Sequence, residues 1–272
     1  LWERLRKITR EVGEQYNFMR IDTPLVERAE LFERTVGQES DIVEKQMYAI
    51  KGRQKDRLVL RPEFTAPVAR AYIEHGLDHL PQPVKLYYIG SLYRHEQPQE
   101  GRYRQFHQSG FEILGGDDDP VHDAHVIAAA RRFLAEAKIE KVTAHINSIG
   151  CKVCRAPYRK KLTDYYKRQS ACKTCKRRLM VNPLRVLDCK EAGCQEIKKD
   201  APAMIDFLCI ACKGHLKLVL EYLDELKIPY LLNNYLVRGL DYYNRTVFEL
   251  FVDGSNHALG GGGRYDYLVE ML

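Results

Sequence analysis

The sequence predicts an α+β fold in which an antiparallel sheet is flanked by helices and interrupted by a cysteine-rich, mainly helical insertion. Strand-like and helix-like segments do not alternate strictly, as they would in a parallel α/β fold. The strand-like segments 84–94 and 105–114 are separated by turn residues at 97–101, which is typical of an antiparallel hairpin with a long loop. All eight cysteines lie between Cys151 and Cys212, and strand-like sequence resumes only after that block.

The start of the chain predicts two helices separated by extended segments. Apolar side chains recur at helical spacing over residues 2–16, so the chain begins with an amphipathic helix. Residues 21–26 and 58–61 are predicted to be extended, and a second helix is expected over residues 67–75. Gly76 then closes this helix, because glycine readily adopts the backbone conformation that ends many helices.

Helices also precede and end the predicted insertion. One helix is expected to begin after Pro120 and to reach Ala137, and a strand follows at residues 142–146. The insertion ends in a helix with a stripe of leucines, which Pro229 stops. The predicted parts are a first part of the core at 1–147 with the hairpin at 84–114, the insertion at 148–230, and a second part of the core at 231–272.

Length and cysteine usage narrow the class of protein. At 272 residues the chain can bury a large core. Its apolar runs fall short of the roughly 18 residues that suggest a membrane span, so no membrane association is expected. A secreted disulfide scaffold would be small and would spread its cysteines through the core, so the clustered cysteines favour a reduced, cytoplasmic setting.

Positive charge is concentrated in one segment. Residues 151–200 contain 15 Lys and Arg against 5 Asp and Glu, a net charge of +10, whereas the whole chain carries only +6. The remaining residues are therefore acidic, at −4. A solvated helical surface would explain such a run, but its coincidence with the cysteine block favours a surface that binds a polyanion. Candidate contacts are Lys160, Lys161, Lys176, Arg177 and Arg178.

The predicted hairpin carries side chains that suit a charged ligand better than a core. Because side chains alternate between the two faces of a strand, Arg94 and Glu96 share one face of the first strand. Phe106, Gln108 and Glu112 likewise share one face of the second strand.

This hairpin resembles motif 2 of the class II aminoacyl-tRNA synthetases, in the form found in the histidyl-tRNA synthetase family. Two further segments resemble signatures of that family: Leu-Val-Arg-Gly-Leu-Asp-Tyr-Tyr-Asn-Arg-Thr-Val-Phe-Glu at 236–249 and Gly-Gly-Gly-Gly-Arg-Tyr-Asp at 260–266. The three segments occur in the family's order, and the likeness extends over essentially the whole chain. The resemblance is to the bacterial type of this synthetase. It implies the class II synthetase fold, an antiparallel sheet flanked by helices.

The resemblance also implies an activity and partners. Members of the family are ligases of protein biosynthesis that activate histidine with ATP and Mg²⁺, form histidyl-adenylate and transfer the histidyl group to the 3′ end of tRNA(His). They are usually homodimers, and the N-terminal region is expected to supply part of the interface. Motif 3 with its ATP-binding arginine, the anticodon-binding domain and the usual entry segment are absent from this sequence, which therefore resembles the catalytic-domain portion of the family. Whether the natural protein continues beyond these residues stays open.

The predicted ATP site is built around arginines. In amino-acid activation the carboxylate attacks the α-phosphate of ATP and displaces pyrophosphate, so catalysis is mainly positioning and electrostatic stabilisation. Guanidinium groups bind phosphate oxygens in a bidentate way. By resemblance, Arg94 and Arg238 contact the α-phosphate from opposite sides and form the catalytic pair. The predicted ATP-binding set is Arg94, Glu96, Arg102 for the outer phosphates, Phe106 stacked on adenine, and Arg238.

The predicted histidine site must recognise an imidazole, which offers one N–H donor and one nitrogen acceptor. An acidic acceptor such as Glu112 and a phenol, Tyr243 or its neighbour Tyr242, would distinguish it from other side chains. Glu63 and Thr65, with Gln108 beside them, are expected to hold the α-ammonium group. By resemblance the histidine-binding set is Glu63, Phe64, Thr65, Gln108, Glu112, Tyr242, Tyr243, Gly260, Gly261 and Tyr265.

Some of these positions depart from the family pattern or have other interpretations. Phe64 occupies a position where the family commonly has a smaller residue, and its side chain is expected to point away from Glu63 and Thr65. Glu63 could instead stabilise the N-terminus of a helix. The glycines at 260–263 lack the Lys-Ser/Thr of a phosphate-binding P-loop; they either line the histidine pocket or form a flexible turn.

The cysteines have spacing typical of structural metal sites. Three Cys-x-x-Cys pairs and one looser pair could build one or two sites of four thiolates. The candidate ligands are Cys151, Cys154, Cys172, Cys175, Cys189, Cys194, Cys209 and Cys212. Bound Zn²⁺, free buried thiols and disulfides remain open. Any zinc would be structural, because no ligand set that could activate a water accompanies these pairs. The resemblance also implies that metal is not essential to the reaction, since the family tolerates this insertion without cysteines.

Two other functions compete with the ligase interpretation. One is a non-catalytic, synthetase-like regulatory subunit of ATP phosphoribosyltransferase that senses histidine. Such relatives typically lack the insertion and lose the ATP-binding arginines, whereas this chain keeps both. The other is a purely RNA-binding module, which would leave the pocket residues unexplained.

Overall fold

A computed structural model describes residues 1–38, 40–51, 56–97, 101–255 and 257–272. The fold is α+β, with three small sheets and helices packed around them, as the sequence predicts. The helices are α1 Trp2–Gln15, α2 Ala29–Thr35, α3 Thr65–Glu74, α4 Val121–Glu136, α5 Lys152–Lys167, α6 Lys173–Val181, α7 Ala192–Lys199 and α8 Ile210–Glu225. The strands are β1 Met19–Arg20, β2 Val26–Arg28, β3 Tyr48–Ile50, β4 Leu58–Leu60, β5 Val84–Tyr93, β6 Gln105–Leu114, β7 Val142–Ser148, β8 Tyr230–Leu232, β9 Asn244–Val252 and β10 Ala258–Arg264.

The predicted hairpin is the longest strand pair among the described residues. β5 and β6 pair antiparallel over ten residues each, from Val84↔Leu114 to Tyr93↔Gln105. β1 adds to the outer edge of β5 in the parallel direction. Residues 98–100 of the predicted turn lie outside the described residues. The alternation of side chains places the front of the hairpin towards the site and its back against α1.

A second sheet has the strand order β10-β9-β7-β8. β9 pairs antiparallel with β10 and with β7, whereas β8 lies parallel to β7. A third sheet, β2-β4-β3, is wholly antiparallel. The sequence predicts β4 but no element for residues 27–57, which contain α2 and β3. A helix of seven residues and a strand of three are too short to show a clear periodicity.

The helices cover the two larger sheets. Ile8 and Val12 of α1 pack against Tyr87, Phe111 and the helix α4 behind the hairpin. The predicted helix at 67–75 begins slightly earlier, at Thr65, and Gly76 past its end has a φ of +59°, as a helix-ending glycine requires. α1 and α4 therefore fix the hairpin from behind. On its front, Leu86, Tyr88 and Leu114 share a core with α3, and the remaining front residues of β6 face the site.

The cysteine-rich segment lies between the neighbouring strands β7 and β8. It contains α5 to α8 with short 3₁₀ turns, including Pro183–Asp188. Its apolar side chains join those of α4, β7 and β9 in one continuous core. The part of the chain that the structure describes contains no helix with the length and apolar character needed to cross a bilayer.

Candidate active site

One cavity of about 1150 Å³ separates the front of β6 from β9 and β10. It reaches from the predicted histidine-binding residues to an apolar end beside α1 and α4. The structure brings most of the predicted site residues together in its lining, drawn from segments that are distant in the sequence. They are Thr65, Arg94, Phe106, Gln108, Glu112, Arg238, Tyr243, Gly260, Gly261 and Tyr265.

Glu112 lies at the centre of the polar part of this cavity. Its carboxylate accepts hydrogen bonds from Thr65 Oγ1 at 2.8 Å, from the Tyr88 hydroxyl at 3.0 Å and from the Tyr265 hydroxyl at 2.5 Å. Burial raises the pKa of Glu112, and the hydrogen bonds from these three residues oppose that shift. A carboxylate can accept about four hydrogen bonds, so one position remains for a donor in the cavity. Glu112 is therefore a fixed, buried acceptor.

Tyr88 belongs to this arrangement, although sequence reasoning did not select it. It is opposite Gly110 in the hairpin, and a Cβ at Gly110 would lie 2.2 Å from the Tyr88 hydroxyl oxygen. Glycine at this position thus lets the phenol reach across the strand to Glu112. The alternation of side chains along β5 could have identified Tyr88, since it points to the same side as Leu86 and Leu92.

Glu63 is placed outside the cavity lining and caps a helix. Its carboxylate accepts hydrogen bonds from the backbone N–H groups of Thr65 at 2.7 Å and Ala66 at 3.0 Å, in the first turn of α3. Burial raises the pKa of Glu63 to about 7, which the bond from Ala66 opposes. This contact matches the alternative interpretation of Glu63 as a carboxylate that stabilises the N-terminus of a helix. Thr65, which lines the cavity, donates its backbone N–H to Glu63 and so links this carboxylate to the cavity.

Phe64 and Tyr242 also lie outside the lining. Phe64, which the resemblance places in the histidine-binding set, does not line the cavity. Its ring stacks on that of Tyr88 at 4.2 Å, and the Arg61 guanidinium lies 4.1 Å from its centre. The structure therefore places Phe64 in the core, where a large aromatic side chain fits, and not against a ligand. The Tyr242 hydroxyl is 3.4 Å from Glu63, whereas Tyr243 faces the cavity. Of the two phenols, Tyr243 is the one that can reach an imidazole there.

Arg94 is held firmly at the end of the hairpin. Its Nε donates to the carbonyl oxygen of Pro62 at 2.8 Å, and its guanidinium lies 5.2 Å from the centre of the Phe106 ring. Burial lowers the pKa of Arg94, and the carboxylates of Glu63 and Glu96 oppose that shift. The terminal nitrogens donate to no protein acceptor among the described residues, so they can donate to an anion in the cavity.

Arg238 enters the cavity from the opposite wall. Its Nη1 donates to the carboxylate of Glu249 on β9, a residue that sequence reasoning did not select. A Cβ at Gly261 would lie 2.9 Å from this nitrogen, so glycine makes room for the guanidinium. Gly261 and its neighbours lie in strand β10, paired with β9, and they do not form a flexible turn. Arg94 and Arg238 thus face one space from two walls.

Glu96 and Arg102 lie at the mouth of the hairpin and not in the cavity lining. Arg102 Nη1 is 3.4 Å from the Glu96 carboxylate, an exposed ion pair. Such a pair contributes little free energy and can separate when a phosphate arrives.

The cysteines gather into two groups of four, each with its sulfur atoms within 4.8 Å of one another. The first group, at the base of the insertion, is Cys151, Cys154, Cys209 and Cys212, and the second is Cys172, Cys175, Cys189 and Cys194. All eight are free thiols. Backbone N–H groups point at several sulfurs, including Cys209 N to Cys154 Sγ at 3.1 Å and Cys175 N to Cys172 Sγ at 3.4 Å. Such donors favour thiolates.

Sequence comparison finds similarity throughout the chain. The sequence model described as Histidyl-tRNA synthetase matches residues 1–156 and 167–272. The histidine–tRNA ligase of Desulforudis audaxviator is 50% identical over 275 residues, an alignment that covers all of this chain and 65% of that protein. The chain therefore spans slightly less than two thirds of the length of this relative.

Structure comparison agrees with this similarity. Apo S. aureus histidyl-tRNA synthetase has a TM-score of 0.78 and 35% identity, with 99% of this chain and 63% of that chain covered. A Bacillus halodurans protein described as an ATP phosphoribosyltransferase regulatory subunit/histidyl-tRNA synthetase has a TM-score of 0.70 at 24% identity, covering 99% of this chain and 74% of that chain. At that identity, the second likeness indicates a shared fold only.

Proposed function

We propose, given that this chain belongs to the histidyl-tRNA synthetase family, that it activates histidine with ATP and transfers the histidyl group to tRNA(His). The observation that carries this proposal is the convergence of two arginines and a buried carboxylate on one cavity. Arg94 and Arg238 supply fixed positive charge, and Glu112 supplies an acceptor surrounded by hydroxyl groups. This combination matches a substrate with a phosphate group at one end and an imidazole at the other.

In the proposed reaction the histidine carboxylate attacks the α-phosphate of ATP and pyrophosphate leaves. Negative charge builds on the α-phosphate oxygens, and the two guanidinium groups stabilise it without having to reorganise. Phe106, beside Arg94, offers a face on which adenine can stack. Mg²⁺, when bound with ATP, would neutralise charge on the outer phosphates. The protein's own part is to hold the two substrates in line.

Glu112 and Tyr243 are proposed to select histidine. The free acceptor position of Glu112 takes the imidazole N–H, and the Tyr243 hydroxyl donates to the other ring nitrogen. A site with buried polar partners rejects an analogue that lacks them by a large factor, because the partners are then left unpaired. Aminoacylation of a tRNA(His) transcript by the full-length protein tests the proposal: histidine should be esterified to the 3′ end, and no other amino acid should be.

The regulatory-subunit alternative has less support. The curated relatives at 47–50% identity over the whole chain carry the name histidine–tRNA ligase. Arg94 and Arg238, which contact the α-phosphate of ATP in the proposal, are present and line the cavity. A sensor of histidine alone would have no need of Arg94 and Arg238 in these places.

The two thiol groups are proposed to bind one structural Zn²⁺ each. In a tetrahedral site with Zn–S bonds of about 2.3 Å, neighbouring sulfurs are about 3.8 Å apart. The Sγ atoms of Cys151 and Cys154 are 3.6 Å apart, and those of Cys172 and Cys189 are 3.8 Å apart. The donor set of four sulfurs fits zinc, and it leaves no coordination position for a substrate or water.

Zinc analysis checks this directly. Protein purified without chelators should contain two zinc equivalents, one for each thiol group. The free energy of zinc binding should also stabilise the fold of the insertion. Cys209→Ser should reduce the content to one by disabling the first group, while the second group keeps its metal. Metal-free protein with eight titratable thiols and an unchanged helical signal would contradict the assignment.

The insertion is further proposed to bind the acceptor arm of tRNA(His). Lys160, Lys161 and Lys176 are exposed and make no hydrogen bond or ion pair that the structure shows. Arg177 and Arg178 instead pair with Glu44 and Asp41 of the core, so these two hold the insertion in place. The proposed RNA contacts are therefore narrowed to the lysines, acting on backbone phosphates.

Replacing Lys160, Lys161 and Lys176 together by alanine should weaken tRNA binding and flatten its salt dependence. The slope of log K against log salt should fall by about 1 for each phosphate that the variant no longer binds. Filter binding between low and moderate salt measures this, with Lys7 and Lys141, exposed outside the insertion, as the control pair. A salt slope equal to that of the wild type would make the positive segment a solvated surface only.

A homodimer and a cytoplasmic location are proposed with the function. Met19, Leu25 and Val26 are exposed apolar residues of the N-terminal region, where a partner subunit would cover them. Eight free thiols fit a reducing compartment.

A further inference from the structure

The insertion touches the loop that carries Arg238 from behind. Arg185, in the 3₁₀ turn Pro183–Asp188, donates from Nη2 to the carbonyl oxygen of Gly239 at 2.9 Å. Asn182 donates from Nδ2 to the Asp241 carboxylate at 2.8 Å. The two contacts join the insertion to Gly239 and Asp241, which closely follow Arg238 in the sequence.

This loop has little regular structure of its own. Residues 233–243 contain neither helix nor strand, and the amide of Asp241 bonds to the carbonyl oxygen of Val36 at 3.2 Å, outside the loop. On the insertion side, Arg155 adds a hydrogen bond to the carbonyl oxygen of Tyr243. The loop between the two site residues Arg238 and Tyr243 is therefore held largely by side chains from elsewhere.

Arg238 depends on the position of this loop. Its guanidinium has the carboxylate of Glu249 as a partner, while its buried Nε has no acceptor among the described residues. One end of the side chain is thus fixed by β9 and the other only by the backbone of the loop. A shift of Gly239 would move the guanidinium relative to a phosphate in the cavity.

Asn182 and Arg185 also stabilise the negative charge of the Asp241 carboxylate. Asp241 is half-buried, and burial raises its pKa, whereas Arg185 and Asn182 lower it. A buried carboxylate is costly without a partner, so removal of these donors would destabilise the loop conformation that buries it. Asp241 also lies against Gly37, where a Cβ would be 2.2 Å from its Oδ2, so the carboxylate has little room to move.

We propose that Asn182 and Arg185 are positioning residues for histidine activation: from the insertion, they hold Gly239 and Asp241, and so place Arg238 for the α-phosphate. This inference rests on the proposed function. Both residues lie in the segment between Cys175 and Cys189, two cysteines that the second thiol group brings together. The insertion then serves the first step of the reaction as well as tRNA binding.

The test is histidine-dependent ATP–pyrophosphate exchange with the full-length protein, which needs no tRNA. Arg185→Met keeps the volume of the side chain but removes its donors, and turnover should fall on the order of 10-fold to 100-fold, the range for a misplaced catalytic group. The Michaelis constants for ATP and histidine should change far less, because the loss concerns the transition state. Arg185→Lys, which keeps one donor within reach of Gly239, should restore part of the turnover. Asn182→Ala should give a smaller loss in the same direction.

Arg168→Met, an exposed arginine at the end of α5, is the matched control and should behave as the wild type. Hydrogen exchange of the peptide over residues 236–243 should accelerate in Arg185→Met and not in the control. Folded Arg185→Met protein with wild-type turnover would overturn the inference alone. The inference would also be overturned if the loss of turnover in Arg185→Met equalled its fraction of unfolded protein and Arg185→Lys restored none of the turnover. Absence of exchange by the wild type would instead overturn the proposed function itself.

Discussion

Replacing Arg238 or Arg94 by alanine is expected to abolish measurable adenylate formation while leaving the fold intact. Each substitution removes a charge-assisted contact to the α-phosphate, and the loss of one such donor costs about 3 to 4 kcal/mol in the transition state. That corresponds to about 10²- to 10³-fold in rate per arginine. Arg238→Ala also leaves Glu249 without the partner that it has in the structure, so repulsion between this carboxylate and ATP adds to the loss.

Single-turnover formation of histidyl-adenylate measures both variants. Arg132, which forms an exposed ion pair with Glu136 on α4, provides the control, and Arg132→Ala should react at the wild-type rate. Circular dichroism and thermal unfolding should show that all three variants are folded. An Arg238→Ala variant that formed adenylate as fast as the wild type would remove Arg238 from the proposed mechanism.

Glu112→Gln is expected to weaken histidine binding much more than ATP binding. Glutamine keeps the shape of the side chain, and the hydroxyls of Thr65, Tyr88 and Tyr265 can rotate to satisfy the amide. The charge that strengthens the bond to the imidazole N–H is lost, and a hydrogen bond to a charged group contributes about 1.5 to 3 kcal/mol. The amide nitrogen also presents a donor towards the imidazole N–H, which opposes binding.

Calorimetric titration of both substrates distinguishes the outcomes. Histidine affinity should fall by roughly 10-fold or more, with ATP affinity close to that of the wild type, and Glu136→Gln on the surface of α4 should change neither. Equal losses for the two substrates would indicate a general disturbance of the cavity. A loss confined to ATP would contradict the assignment of Glu112 to the side chain of histidine.

The hairpin of the site was predictable because its signal is local. Ten-residue strands with alternating faces define the β5–β6 hairpin, and Arg94, Phe106 and Glu112 follow from it directly. The short strands β2 and β3 gave no such signal, since three residues show barely one alternation. Their sheet forms through contacts that are distant in sequence.

Two features of the site were not predictable from the sequence: which of the two tyrosines faces the cavity, and which residues of the insertion contact the core. Tyr242 and Tyr243 are adjacent in sequence, and only the path of the loop decides that Tyr243 faces the cavity. Charge counting assigned Arg177 and Arg178 to RNA, whereas in the structure they pair with acidic residues of the core. Likewise, nothing in the local pattern around Arg185 indicates that its partner is Gly239, 54 positions further on. Such pairings depend on tertiary packing.

Activation of histidine at this cavity is tested most directly by ATP–pyrophosphate exchange with the full-length protein, one amino acid at a time. The account predicts exchange with histidine and none with the other proteinogenic amino acids, and the exchange should disappear in Arg94→Ala. Binding of histidine without any exchange would contradict the account and would favour a sensor of histidine. Exchange driven by a different amino acid would contradict the roles given to Glu112 and Tyr243.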